Sequence, residues 1–517
     1  MAAAAVSIPV PRTENQCVGT PTGFVRNILR KSIWRAQSDI LESVLWNRRT
    51  AVKSCHASGK TFIAAAITLY WVSKYDDGIV VTTAPTNTQV KNILWREVRE
   101  QAAGSRMKFP SVLTQELKLG EKNYALGLST NQAPRFQGFH SRHILVILDE
   151  APGVRGEVWD AVQGLMAGGD VRLLAIGNPT ITGGPFYDAF TTQRERWATY
   201  TINAFDTPNL QHCSHTFRRT ATDEHGKEYD VNTVIGYGPD IMEMEEDALD
   251  HAVRPYLCTR RWVREMIEDN GINNPLVEAK VFGDFPTEGA DVLIPLSWLE
   301  RARLVEDGPE VAKLPICAGL DVAGAGQADT VLVVRRGPRV LLVQGWTSAD
   351  PRGEVVAALA PFKSELIRLN VDSIGIGWNM YTHLRDQFGR ASNGAERVFP
   401  VNVGLEPRNR EKFFNAKAEY YWALRERAKV GDLRFPIPDK TVRGEDRVLG
   451  QLSVIRYAQN ARGQIVIESK EDLRKRGIKS PDAAEATMLA FVERVRGESA
   501  PIFAISSITQ PSGWRMG

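Results

Sequence analysis

Apolar and polar positions alternate along the first half of the chain in a way that predicts helices and buried strands in turn. Residues 26–46 put Ile33, Trp34, Ile40, Leu41, Val44 and Leu45 on one broad face of a helix. TAVKSCH (50–56) reads as a short strand, and FIAAAITLYWV, which follows, has a strong helix pattern. GIVVTT (78–83) is a buried strand closed by Pro85, with a helix expected from about Thr88 to Gln101. HILVILDE (143–150) gives five successive apolar residues ending in Asp149 and Glu150. VRLLAIGNPT (171–180) is a further buried strand, closed by Gly177-Asn178-Pro179. Strands separated by helices predict an α/β fold with a parallel central sheet.

Residues 203–312 show no clean repeat and read as the end of this unit plus a mostly helical connection. A second α/β unit begins at Pro315. ICAGLDVAGAGQADTVLVVRRGPRVLLVQGW predicts three strands in a meander, with Asp321 near the end of the first. PRGEVVAALAPFKSELIRL predicts a helix, VDSIGIGW a strand with Asp372 near its start, and MYTHLRDQFG another helix. In SPDAAEATMLAFVERV, Ser480 is the expected cap, Pro481 a first-turn proline, and Asp482 and Glu485 share one side of the helix.

The 517 residues suffice for two or three domains with full cores. The five cysteines are scattered without a CxxC pair, which predicts neither a zinc site nor a disulfide framework and suits a reducing compartment. The opening MAAAAVSIPVPR lacks a basic region before its apolar run and reads as a loose arm. No run of 18 apolar residues predicts a membrane span. Net charge is only +3, but Asp223–Asp250 holds ten acidic residues and one basic, a solvated face on the plain reading. Tyr421–Ser480 holds fourteen basic and eight acidic residues, a balance consistent with a polyanion partner.

The candidate chemistry starts at SCHASGKT (54–61). Ser58, Gly59, Lys60 and Thr61 open a helix, so backbone N–H groups can surround a phosphate chain. Lys60 can then reach the outer phosphates and the Thr61 hydroxyl a Mg²⁺. Ser54 stands where such loops open on glycine. Asp149 and Glu150, at a strand end about 90 residues on, supply a metal ligand and a base for the attacking water. Together the two motifs predict an ATPase. Trp34 and Gln37 fit adenine recognition and, equally on spacing, a core tryptophan with an exposed amide. Asn178 fits a γ-phosphate sensor or a turn residue. Arg135 and Arg142 are candidates for neutralising the transferring phosphoryl group, in cis or from a neighbouring subunit.

In the second unit Asp321, Asp372 and Asp482, with Glu485 nearby, fit convergence on two divalent ions, Mg²⁺ or Mn²⁺, for phosphodiester hydrolysis or, on spacing alone, unrelated surface carboxylates. Gly324 and Gly326 permit close approach beside Asp321. Lys470 fits a phosphate contact or a solvated lysine.

In order and spacing, these motifs resemble the large terminase subunit of tailed double-stranded DNA bacteriophages. The signs are Trp34-x-x-Gln37, CHASGKT, RFQG before LDEAPG, GNP, FDTPN, GLDVAGAGQADT, VDSIGIG, FNAKAEYYWALRE with Asn415 and Lys417, and ESKEDLRKRGIKSPD. The resemblance covers about Trp34 to Val495. It implies an N-terminal P-loop ATPase joined to a C-terminal ribonuclease H-like nuclease. The expected organisation is an arm (1–25), an ATPase core (26–205), its end and linker (206–312), a nuclease (313–497) and a tail (498–517).

The resemblance also implies double-stranded DNA, the portal protein of the prohead and the small terminase subunit as partners. A homo-oligomeric ring, a pentamer, would act in the host cytoplasm while docked on the prohead and be absent from the mature virion. It assigns Lys60 and Thr61 to phosphate binding, Asp149 to Mg²⁺, Glu150 to catalysis, Asn178 to coupling, and Asp321, Asp372 and Asp482 to the nuclease metals. Three departures stand out. His56 replaces an arginine facing the phosphates, Gln137-Gly138 replaces the Arg-Gly of the finger position, and Glu485 replaces a second aspartate. A helicase-like ATPase fused to a nuclease would need further helicase segments between Gly177 and Pro315, and none is visible. A scaffold would not need Lys60, Glu150, Asp321, Asp372 and Asp482 together.

Overall fold

The computed structural model describes residues 19–129, 135–136, 138–222, 228–286, 291–305, 307–323, 329–348, 350–391, 394–435, 445–476 and 478–493. Within these, 218–222, 228–232 and 445 are described by backbone alone. Gln137, Gly324, Gly326, most of the expected arm and the expected tail lie outside the described residues.

Seven strands form the first sheet: β1 (Arg49–Ser54), β2 (Gly78–Ala84), β3 (Glu116–Lys118), β4 (Tyr124–Ser129), β5 (His143–Leu148), β6 (Asp170–Gly177) and β7 (Ala198–Ile202). Their order is β3-β4-β2-β5-β6-β1-β7, parallel throughout except for the β3–β4 pair. The β-branched run of β2 is buried at every position because neighbouring strands pair on both edges and helices cover the faces. The helix Lys60–Lys74 is buried over most of its circumference, as its Ala64-Ala65-Ala66 run requires for close packing against the sheet.

β8 (Ser214–Thr222) and β9 (Glu228–Gly236) pair as an antiparallel hairpin. The connection expected to be mostly helical therefore opens on strands, whose alternation is hidden in the sequence by charged positions. Helices Arg260–Asn270, Pro275–Lys280 and Leu296–Arg303 follow.

The second sheet contains β10 (Ile316–Asp321), β11 (Thr330–Arg336), β12 (Arg339–Trp346), β13 (Leu366–Asp372) and β14 (Val398–Val401), in the order β12-β11-β10-β13-β14. β10–β11–β12 is the expected antiparallel meander, and β10, β13 and β14 run parallel. Two expectations change here. The helix after Pro351 stops at Leu359, because Pro361 cannot continue it, and LIRLNVD forms the strand. Asp372 consequently ends β13 rather than beginning a strand. A small hairpin, β15 (Tyr457–Gln459) with β16 (Ile465–Ile467), completes the sheets.

The helix expected over 26–46 is two helices, Pro21–Asn27 and Arg35–Trp46, the second capped at Trp34. The two units share a continuous core. Across it, Leu293 N–H donates to the Ile455 carbonyl at 2.8 Å and Asn274 Nδ2 to the Gly450 carbonyl at 3.0 Å. No described helix is long and apolar enough to cross a membrane.

Candidate active sites

The first site forms where β1, β5 and β6 end on one edge of the parallel sheet. Gly59 caps the helix Lys60–Lys74 with φ +85°, a conformation that suits glycine. A Cβ there would also lie 2.4 Å from Gln37 Nε2. Gln37 is thus buried against the loop rather than exposed, its Oε1 accepting the Trp34 N–H at 3.4 Å. Trp34 is half-buried, and its Nε1 is buried with no hydrogen-bond partner among the described residues.

Lys60 is buried, and its Nζ donates to Asn178 Oδ1 at 3.3 Å and to the Cys55 carbonyl at 3.5 Å. Asn178 Nδ2 in turn holds the Ser54 carbonyl at 2.6 Å, tying the end of β6 to the loop. Ser58 Oγ donates to Ser54 Oγ at 2.9 Å, so the serine at the usual glycine position braces the loop from within. Thr61 Oγ1 donates to Asp149 Oδ2 at 3.2 Å. Burial, then the charge of Glu150, pushes the Asp149 carboxyl up to about 7 against the pull of Lys60. A hydroxyl and a carboxylate facing one another form a hard-oxygen donor set that fits Mg²⁺. Glu150 has φ +47°, a strained backbone for a residue with a Cβ. Its carboxylate has no hydrogen-bond or ion-pair partner among the described residues.

His56 keeps an exposed surface and packs on Trp262, with ring centroids 5.5 Å apart. Protein crowding around the ring, then Lys280 and Lys60, lowers its imidazole to about 4. At neutral pH it is uncharged, so it does not supply the charge of the arginine it replaces. Arg135 and Arg142 are both exposed. Arg142 pairs with Asp77 at 3.6 Å, and Arg135 lines a pocket of about 1010 Å³ beside β4 with Lys91 and Arg99.

The second site lies where β10 and β13 end beside the helix Asp482–Ala490. Gly319 is required in β10 because a Cβ there would sit 2.1 Å from the Ala490 nitrogen, so helix and strand meet backbone to backbone. Asp321, Asp482 and Glu485 are buried and Asp372 is half-buried. Burial, then Glu485, holds Asp321 well above the usual carboxylate range, with Asp482 and Asp372 adding to the effect. Asp372 and Asp482 are also raised, mainly by burial.

Glu485 is different. Burial opposes its charge, but Lys417 at 2.8 Å and Lys470 at 2.7 Å hold its carboxyl below the ordinary range. Lys470 is therefore not merely solvated. Among the described residues, no group of three or more acidic, histidine or cysteine side chains is drawn together tightly enough to hold a metal. The donor chemistry fits hard divalent ions, but two lysines supply the neutralising charge in this arrangement, and they would have to release Glu485 for it to become a ligand.

Ser480 does not cap the helix backbone; its Oγ donates to Asp482 Oδ1, and Pro481 occupies the cap position rather than the first turn. Capping comes from Gln451, whose Oε1 accepts the Ala483 and Ala484 N–H groups at 2.8 and 3.0 Å. Arg447 reaches Asp329 at 2.6 Å and Asp482 at 3.8 Å. Tyr421 Oη is buried with no hydrogen-bond partner among the described residues, and the charges of Glu485, Asp321 and Asp482 all act on it. Nothing in the sequence marks Gln451 or Arg447, and Tyr421 lies within FNAKAEYYWALRE without being singled out there.

No protein-family model matches the chain. It is 24% identical over 484 residues to a protein of Enterobacteria phage P7 described as "Probable terminase, large subunit", covering 86% of this chain and 85% of that one. Two solved structures are also similar. The large terminase of a thermophilic bacteriophage is 9% identical, covering 89% of this chain and 98% of its own, with a TM-score of 0.38. The nuclease domain of the large terminase subunit of bacterial virus Sf6 is 18% identical, covering 38% and 97%, with a TM-score of 0.33. On its motifs and on the near full-length sequence match, the chain is identified as a member of the large terminase subunits of tailed double-stranded DNA bacteriophages.

Proposed function

We propose that the chain hydrolyses ATP to drive double-stranded viral DNA into a prohead, and cuts concatemeric DNA with a second, metal-dependent site. The observation that carries the first half is the Thr61–Asp149 contact at 3.2 Å beside the buried Lys60. It supports a P-loop ATPase in which the N–H groups after Gly59 and the Lys60 ammonium bind the phosphates. Glu150, free of any described partner, is then available to orient the attacking water and take its proton. Asn178, bonded to Lys60 and to the loop, is positioned to register loss of the outer phosphate.

The nuclease half rests on Asp321, Asp372, Asp482 and Glu485 around one sheet edge, in a ribonuclease H-like unit. Bound divalent ions would supply water activation and leaving-oxygen stabilisation there. Asp321 and Asp372 hold the strand-side ligand positions, and Asp482 the helix side. The partners on this reading are DNA, the portal protein, the small terminase subunit and further copies of the chain in a ring, a pentamer, docked on the prohead in the host cytoplasm.

The test uses two variants of the full chain. Glu150→Ala should lose ATP turnover and keep DNA cutting with Mg²⁺ or Mn²⁺, and Asp321→Ala should do the reverse. Loss of both activities in a folded Asp321→Ala protein would overturn the two-site assignment.

A further inference from the structure

Helix Glu445–Leu452 is bonded on one side to residues that support the phosphate loop and on the other to residues around Asp482. On one side Asp446 Oδ1 accepts Lys280 Nζ at 2.6 Å and Arg303 Nη2 at 2.5 Å. Lys280 and Arg303 are buried and belong to helices that precede the second sheet. The Lys280 main-chain carbonyl accepts the His56 N–H at 2.7 Å, inside the phosphate loop. Asn274, at the start of the Lys280 helix, holds the Gly450 carbonyl at 3.0 Å and so fixes the same element a second time.

On the other side, Arg447 pairs with Asp329 and reaches Asp482, and Asp329 N–H donates to Asp482 Oδ2 at 3.0 Å. One turn on, Gln451 caps the first N–H groups of the Asp482 helix. Exposed N–H groups at a helix start need an acceptor, and no side chain of that helix's own cap position supplies one.

We propose that Arg447 and Gln451 are positioning residues for the nuclease carboxylates, and that Asp446 seats their helix against the phosphate-loop side, so that nucleotide binding shifts the Asp482 helix. The reading rests on the two-site function above. A shift of the loop moves the Lys280 backbone, Lys280 carries Asp446, and the rigid helix carries Arg447 and Gln451. Each step is one hydrogen bond, one ion pair or one helix body.

The test is amide hydrogen exchange across residues 482–490 in the full-length, metal-free protein, with and without ADP or ATPγS. In the wild type, nucleotide should change exchange there about fivefold. Asp446→Asn should abolish that response while nucleotide affinity stays near that of the wild type. Lys280→Gln, which leaves Arg303 on Asp446, should reduce it, and serves if Asp446→Asn does not fold. Gln451→Met should raise exchange at Ala483 and Ala484 with or without nucleotide. An unresponsive wild type, or a full response in a folded Asp446→Asn protein, would overturn the proposal. Absence of DNA cutting alongside an intact exchange response would instead count against the nuclease reading.

Discussion

Thr61 and Asp149, 88 positions apart in sequence, meet at 3.2 Å across the end of the parallel sheet. The pairing leaves a carboxylate in a buried setting beside a second acid, and its titration follows. In an unfolded chain Asp149 would ionise near 4, whereas in the folded chain it ionises near 7. The folded state therefore keeps a proton that the unfolded state has released, and stability falls as pH rises through that window.

Asp149→Asn removes this cost. Its side chain mimics the protonated acid, and the Thr61 hydroxyl can turn to suit it. The variant should match the wild type near pH 4 and be more stable by about 2 kcal/mol at pH 8 in nucleotide-free urea melts. ATP turnover should be lost. Equal melts at both pH values would show that Asp149 is not held protonated.

Gly59→Ala tests how the loop is seated. The substitution forces a Cβ into a left-handed backbone and against Gln37 Nε2. It should cost about 2 kcal/mol and weaken nucleotide binding. The double variant with Gln37→Ala should recover part of this, because the collision is relieved and only the backbone strain remains. A thermodynamic cycle in which the two changes simply add would place Gln37 away from the loop.

Much of this site is legible in the sequence because its chemistry is local. GKT at a helix start and two acids at a strand end are patterns within single elements, and the sheet order merely brings them to one edge. What stays hidden depends on side chains from remote elements. Gln37 looks like an exposed helix residue until the fold presses it on Gly59. Gln451 carries no signal at all, since an ordinary glutamine becomes a cap only when another helix starts beside it. The pattern around Asp372 puts it at the wrong end of its strand, because ELIRLN reads equally well as the tail of the preceding helix. Proline at 361 is the better guide there.

The lysines around Glu485 allow a further test by pH. Glu485 has a depressed carboxyl in the folded state, so its contribution is present above the unfolded value near 4.5 and is lost as pH falls through the lower folded value. Lys417→Met removes one of its two counter-charges. The variant should be destabilised by about 2 kcal/mol at pH 7, with the deficit shrinking below pH 4 as Glu485 is neutralised. Denaturant melts at the two pH values measure this directly. A deficit that does not change with pH would assign the loss to the contact of Lys417 with the Tyr421 ring, whose centroid lies 5.8 Å from Nζ.

The far end of the acidic helix makes the last prediction. Arg335 is almost wholly buried, donates through Nε to the Ala490 carbonyl at 2.6 Å, and stacks on Phe491 at 4.4 Å. Its Nη1 holds the Gly337 carbonyl at 2.5 Å. Asn370 Nδ2 adds bonds to the Leu489 and Val492 carbonyls, both at 2.8 Å. A cation at a helix C-terminus is favourable, and here it also closes carbonyls that no water can reach. Arg335→Ala should therefore cost about 3–5 kcal/mol, from a cavity and two orphaned carbonyls. Arg335→Met fills the space but leaves the carbonyls, so about half of that loss should remain. If the methionine variant were as stable as the wild type, the guanidinium would be holding the helix by volume alone, and its hydrogen bonds would contribute nothing to the placement of Asp482 and Glu485.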